Sequence, residues 1–387
     1  MTGPLPADVS SVSGMDFAPR TSLALIDDLR ARLRATRLPD TAADPDWALG
    51  TDPAFVRELI AYWADGFDWQ AREAELNLLP RSFVEVGGRG IHVIHSVADR
   101  AEGAPPAPAL LLAHGWPDSF WRYLKVIPLL AGEFDLIVPD TPGFGYSDIP
   151  ATALNSREVA AVYAQLMSKL GYERFFAAGG DIGSHVVRYL ALDFPDRVVA
   201  VHRMDAGLPA PTTDASQLTP EEREWLAEVS AWNRSEGGYI ALQRTKPNTA
   251  AIGLTDSPAG LAAWVLEKLR SWSGAGVAAY SFDEILTNLS IYWFTGTIGS
   301  SMRMYRANAE IPAEQLARRV EVPSGFSIFP GDVVKPPHAW LERSTNLVRH
   351  TEPPMGGHFA PFKVPELYAQ ELRDFFRLFP DGQTGTR

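Results

Sequence analysis

The stretch Phe175-Phe176-Ala177-Ala178-Gly179-Gly180-Asp181-Ile182-Gly183-Ser184-His185 limits what this chain can fold into more than any other. It reads as a short apolar strand, an acid flanked by glycines, and the start of a helix. A side chain on so sharp a strand-to-helix turn is pushed out of the sheet into a cleft, and the doubled-back chain tolerates only small neighbours. Gly179 and Gly183 stand two residues to either side of Asp181, the spacing of a nucleophile elbow. Ser is the usual occupant of such an elbow; here it is Asp. A carboxylate can be a covalent nucleophile in its own right. With an ordinary pKa of about 3.9 it is ionised at neutral pH and needs no base to activate it. The same residues also read as a glycine-rich turn whose Asp caps the following helix.

The surrounding pattern is that of alternating strands and helices. Buried apolar runs at 109–113, 134–139, 175–178 and 198–204 read as strands, and 156–170 as a helix with Val159, Val162, Tyr163, Leu166 and Leu170 as its stripe. Such alternation gives βαβ units and a mostly parallel sheet. Strands resume at 325–329 and 347–350, and a helix over 364–379 closes the chain. Residues 208–318 break the rhythm: they are helix-like and rich in aromatics, with Trp225, Trp232, Tyr239, Trp264, Trp272, Tyr280, Tyr292 and Trp293, and read as a helical cap inserted over the sheet. Ahead of the sheet, residues 1–18 form an arm with little periodicity. Ser22 caps a helix with Leu25, Ile26, Leu29 and Leu33 on one stripe, and a second helix over 53–66 presents Phe55, Leu59, Tyr62 and Trp63. Alternation around Gly87-Gly88 over 83–94 reads as a hairpin. The division expected is an N-terminal region over 1–95 packing on the core, core segments over 96–207 and 319–387, and the cap between them.

Further elements fit the elbow. His114-Gly115-Trp116-Pro117 follows the 109–113 strand, where backbone N–H groups can face an oxyanion; the donors would be Trp116 and Ile182. Read alone, it is a strand-to-loop turn. The loop from Asp140 to Ser147 shapes the cleft floor and is given no chemistry. Asp332 ends a late strand at the carboxyl edge of the sheet, where ligands bind in open α/β folds. His358 follows the next strand in a Gly-rich loop. The order nucleophile, acid, His is that of α/β-hydrolases, with Asp332 fixing the tautomer and orientation of His358. His92 and His95 are three apart on a strand and face opposite sides, so no metal site is assigned.

With those residues in place, the chain resembles an α/β-hydrolase-fold epoxide hydrolase of the microsomal and juvenile-hormone type, including its soluble bacterial and fungal relatives. The resemblance covers nearly the whole chain. Arg32-Leu33, Arg37-Leu38-Pro39, Tyr62-Trp63, Asp68-Trp69 and Leu76-Asn77 resemble the N-terminal region peculiar to that group. The most distinctive stretch is Gly238-Tyr239, then Gln243-x-Thr245-Lys246-Pro247, then Asp256-Ser257-Pro258-Ala259-Gly260-Leu261-Ala262; Tyr292-Trp293 and Arg303-Met304-Tyr305 match the end of the cap. The resemblance implies that Tyr239 and Tyr305 are paired lid tyrosines that bind substrate together with Trp116. It also implies that Asp332 holds the acid position, which is Glu in some members and Asp in others. Haloalkane dehalogenases place Trp after the nucleophile and fluoroacetate dehalogenases place Arg; here the residue is Ile182. A non-catalytic binding protein on this fold would tend to lose a catalytic member, and every member is present.

The implied chemistry is hydrolysis of a bulky apolar or aromatic epoxide to a vicinal diol through an aspartyl ester, without cofactor or metal. Detoxification and natural-product biosynthesis, such as that of enediynes, are the settings in which relatives work. A net charge of −12 argues against nucleic acid and anionic membrane as partners. No cysteine is present, so disulfides and thiolate metal sites are excluded. The mammalian microsomal enzymes carry an N-terminal membrane anchor; this sequence shows no such span and no signal peptide, so a soluble cytoplasmic enzyme is expected, with a homodimer as a candidate assembly.

Overall fold

The structure is a computed structural model that describes residues 15–39, 47–101, 105–206, 214–274 and 276–380. The strands are β1 (Met15–Asp16), β2 (Arg81–Val86), β3 (Arg89–Ser96), β4 (Ala109–Ala113), β5 (Asp135–Pro139), β6 (Phe175–Gly179), β7 (Val198–Arg203), β8 (Val320–Ser327) and β9 (Thr345–Thr351). They form one nine-stranded sheet in the spatial order β1-β2-β3-β5-β4-β6-β7-β8-β9. The pairs from β1 to β5 through β3 are antiparallel. Every pair from β5 across to β9 is parallel. This is the α/β-hydrolase fold. β4, β5 and β6 are buried at every position, as strands covered on both faces must be, which is why they read as unbroken apolar runs. Gly87 and Gly88 both take positive φ, 59° and 78°, which closes the β2–β3 hairpin in a two-residue turn with Val86 opposite Arg89.

Helices Ser156–Lys169 and Ile182–Asp193 pack on each other beside the sheet. Asn155 and Glu158 form a capping box at the start of the first. Between Arg203 and Val320 the described residues contain helices and no strand; the longer ones are Pro220–Ser235, Gly238–Thr245, Pro247–Asp256, Pro258–Ser271, Phe282–Thr295 and Ile298–Ala309.

Several local expectations need correction. Of the arm over 1–18, residues 1–14 lie outside the described residues; Met15–Asp16 is an ordered strand paired with β2. Leu25 is 48% exposed, because the buried stripe of Leu23–Arg34 runs through Ile26, Leu29 and Leu33 and leaves Leu25 at its edge. In Pro53–Asp65 the buried face is Val56, Leu59, Ile60, Trp63 and Ala64, and Tyr62 turns out to reach Asp283 Oδ1 at 2.9 Å. Trp69–Leu76 and His338–Ser344 are helices too short to show a stripe in the sequence. β8 begins at Val320 rather than 325, since the shift in register between Val320 and Pro323 lets the strand run through Glu321 and Pro323. The buried residues of the N-terminal helices are continuous with the hydrophobic core of the sheet, and these helices also contact the cap. The hairpin joins the sheet, and the helices hold the cap: Thr51 Oγ1 donates to the Ala263 carbonyl at 2.6 Å, Trp63 Nε1 to Ser290 Oγ at 3.1 Å, and Arg32 bonds Asp256.

Candidate active site

Asp181 leaves β6 and opens the helix Ile182–Asp193 with φ 55° and ψ −132°, a conformation that L side chains rarely adopt. Its side chain makes no cap bond to that helix, so the capping reading of the stretch fails. Its backbone N–H donates to Asp205 Oδ2 at 2.8 Å. The two glycines are sterically required. A Cβ on Gly179 would lie 2.6 Å from the Gly183 backbone, and one on Gly183 would lie 2.1 Å from the Ala113 carbonyl.

The carboxylate is held from both sides. The Trp116 N–H donates to Oδ1 at 2.7 Å, and the Ile182 N–H at the start of the helix helps hold the carboxyl below its ordinary pKa. A Cβ on Gly115 would meet the Asp181 side chain at 2.4 Å, which is why the loop from His114 has glycine there. His358 Nε2 lies 3.4 Å from Oδ2, an ion-pair contact rather than a hydrogen bond. On its other edge, Nδ1 meets Asp332 Oδ1 at 2.8 Å. The loops carrying the acid and the His are joined directly, Gly331 N–H donating to the Gly356 carbonyl at 2.9 Å. Behind them, Asp118 accepts from Gly115 N–H at 2.9 Å and pairs with the buried Arg122, whose Nη2 donates to the His358 carbonyl at 2.5 Å. One ion pair therefore braces both the amide loop and the imidazole.

Burial acts most strongly on both charged partners and disfavours their charged forms, but it is outweighed. Asp332 and Asp181 push His358 up to about 10, and His358 with the two amides pulls Asp181 below the ordinary carboxylate value. Both shifts favour a protonated imidazole beside an ionised Asp181.

Above the carboxylate lie the rings from the cap. Tyr239 stacks on Trp116 at 5.6 Å and 8°, Tyr305 meets the same indole edge-on at 5.7 Å, and the two tyrosine rings are 5.9 Å apart. Burial raises both hydroxyls well above the usual tyrosine range, and the nearby Asp181 charge adds to it. Both rings are thus kept as neutral hydrogen-bond donors. The structure brings Asp181, His358, Asp332, Trp116, Ile182, Tyr239 and Tyr305 into one site.

Other contributors carried no signal in the sequence. Trp272 lies 5.2 Å from Tyr239 and 5.0 Å from the His358 imidazole, and its carbonyl accepts the His358 N–H at 2.8 Å. It was visible only as one of many cap aromatics. Asp140 is a buried hub: it accepts from Phe120 N–H and Tyr146 N–H and pairs with His92 Nδ1 at 2.8 Å. His95 instead meets Tyr172 at 2.9 Å. Among the described residues no cluster of three or more His, Asp or Glu is placed to hold a metal ion. Among them, too, no helix is long and apolar enough to cross a membrane.

A family described as epoxide hydrolase N terminus matches residues 15–123, and one described as alpha/beta hydrolase fold matches residues 108–243. Epoxide hydrolase 1 of Sus scrofa is 32% identical over 419 residues, covering 97% of this chain and 91% of that protein. Among solved structures, the juvenile hormone epoxide hydrolase of the silkworm Bombyx mori superposes with a TM-score of 0.86 at 28% identity, covering 94% of each chain. The Aspergillus niger epoxide hydrolase gives 0.85 at 28% identity, covering 95% of this chain and 97% of that one.

Proposed function

The chain belongs to the α/β-hydrolase-fold epoxide hydrolases, and from that premise we propose that it converts a bulky apolar or aryl epoxide to a vicinal diol through an ester on Asp181. The observation that carries the reading is the Asp181 carboxylate itself, with Oδ1 on the Trp116 amide and Oδ2 facing His358. Oδ2 attacks an epoxide carbon as the ring C–O bond breaks, and the departing alkoxide takes a proton from the tyrosine pair. Asp181 is then a neutral ester and no longer supports the imidazolium, so His358 releases its proton to solvent, from which the tyrosinate regains one, and becomes a base. It deprotonates a water that attacks the ester carbonyl carbon. The oxyanion forms on Oδ1, which the Trp116 amide already holds and to which the reading assigns the Ile182 amide as second donor; one such donor is worth roughly 10²–10³-fold in rate. Collapse expels the diol oxygen, which takes its proton from His358, and the carboxylate is regenerated.

Trp116, Trp272, Tyr239 and Tyr305 surround the reacting groups with aromatic surface, which supports the aryl preference. The reading assigns Asp332 to orient His358, and needs neither metal nor cofactor. Detoxification or natural-product biosynthesis would each suit such a substrate. Intact-protein mass spectrometry after mixing with styrene oxide tests the scheme. His358→Ala is expected to accumulate a covalent adduct, and Asp181→Ala to form none. An adduct on Asp181→Ala, or its absence on a folded His358→Ala, would contradict it.

A further inference from the structure

We infer that Lys268 is a positioning residue for proton transfer to the opened epoxide, acting through the ring of Tyr239; this rests on the reading of the tyrosine pair as proton donor. Lys268 lies in the last turn of the cap helix Pro258–Ser271, just ahead of Trp272, and is 4% exposed. Lysine is almost never so buried unless something meets its charge. One partner is the Glu267 carboxylate, which contacts Nζ. The others are aromatic faces: Nζ sits 4.2 Å from the centroid of the Tyr239 ring and 5.5 Å from that of Trp272.

A cation over an aromatic face is drawn to the electron density of the ring. When the ring is a phenol, that cation favours the phenolate more than the phenol, because charge spreads over oxygen and ring as the proton leaves. Ring opening asks for this change. The Asp181 Oδ2–carbon bond forms, the epoxide C–O bond breaks, and the phenol O–H proton moves to the alkoxide oxygen, leaving a phenolate until solvent reprotonates it. Burial and the Asp181 charge hold the Tyr239 hydroxyl well above its ordinary range, so unaided it is a weak acid.

Two groups oppose that. The neighbouring Tyr305 lowers the Tyr239 hydroxyl. Lys268 supplies the second through the ring face. Glu267 works the other way on Tyr239, but its side chain is 26% exposed whereas that of Lys268 is 5% exposed and lies on the ring. The Tyr305 ring instead meets the edges of Trp116 and Tyr239. The two tyrosines are therefore unequal: Tyr239 gives the proton, and Tyr305 and Lys268 make it able to.

The test is single-turnover kinetics with styrene oxide, following ester formation and ester hydrolysis separately, on Lys268→Met, Lys268→Arg, Tyr239→Phe and the Tyr239→Phe/Lys268→Met double variant. Lys268→Met is expected to slow ester formation about 30-fold, the rate equivalent of a desolvated cation–π contact, and to leave hydrolysis of the formed ester unchanged. Lys268→Arg should restore most of the rate. In the Tyr239→Phe background the Lys268 change should add less than about twofold, which a merely structural role would not produce. If Lys268→Met does not fold, Lys268→Gln carries the same comparison. An unchanged rate in Lys268→Met, an equal slowing of both steps, or the same factor with and without the Tyr239 hydroxyl would overturn the inference. Should Tyr239→Phe alone leave ester formation unchanged, the assignment of the donor fails first.

Discussion

Asp181 combines two uncommon conditions, a positive φ of 55° on a non-glycine residue and a carboxylate paired with a buried imidazolium. The first costs on the order of 1–3 kcal/mol and is held by Gly179, Gly183 and the Asp205 carboxylate. The second carries a pH signature. Because the folded pKa of His358 is raised to about 10, above its ordinary value near 6.5, its contribution to stability is complete below about pH 6.5 and is lost as pH rises through about 10. Asp181→Asn replaces the charged carboxylate by a neutral group like the ester. His358 should then titrate lower than in the native enzyme, and the alkaline loss of stability should begin at lower pH. Imidazole ¹⁵N shifts followed against pH read this directly; an unchanged titration would mean that Asp332 alone sets the imidazole and that esterification cannot release its proton.

At the scale of elements, the strand-elbow-helix unit was the most legible part of the chain because steric rules write it into sequence: only glycine fits at 179 and 183, and an apolar run must precede them. Gly183→Ala is expected to destabilise by about 3 kcal/mol or more, since its Cβ would strike the Ala113 carbonyl. Gly253→Ala, in the cap helix Pro247–Asp256 with nothing near its Cβ, should stabilise by about 0.5–1 kcal/mol. Urea unfolding of the pair distinguishes a required glycine from an incidental one. Trp272, Lys268, Asp205 and the Asp118–Arg122 brace were not legible. Trp272 and Lys268 reach the site through the cap, Asp205 through the end of β7, and the brace through the bond of Arg122 to the distant His358 carbonyl, and no local spacing marks a residue whose partner lies far along the chain. Pro323 inside β8 hid the start of that strand for a related reason, since the shift in register that accommodates it is set by β9.

At the scale of the whole molecule, the site has two halves, a sheet edge with Asp181, Asp332 and His358 and a cap with Tyr239 and Tyr305. The N-terminal helices clamp the cap against the rest through Thr51, Tyr62, Trp63 and Trp69. Trp63 is buried and bonded to Ser290 in Phe282–Thr295. Trp63→Ala should cost about 3–5 kcal/mol and raise amide hydrogen exchange in Phe282–Thr295 before it does so in β6. Equal exchange in both would mean that these helices do not support the cap selectively. The account as a whole stands on the covalent ester, and one experiment reaches it without any substitution: a single turnover with enzyme in excess over styrene oxide in water enriched in oxygen-18. The ester route predicts a first-turnover diol that carries no solvent oxygen, with the heavy isotope found instead in the Asp181 carboxylate by peptide mass spectrometry. Heavy oxygen in the diol and an unlabelled Asp181 would mean that water attacks the epoxide directly, and would contradict it.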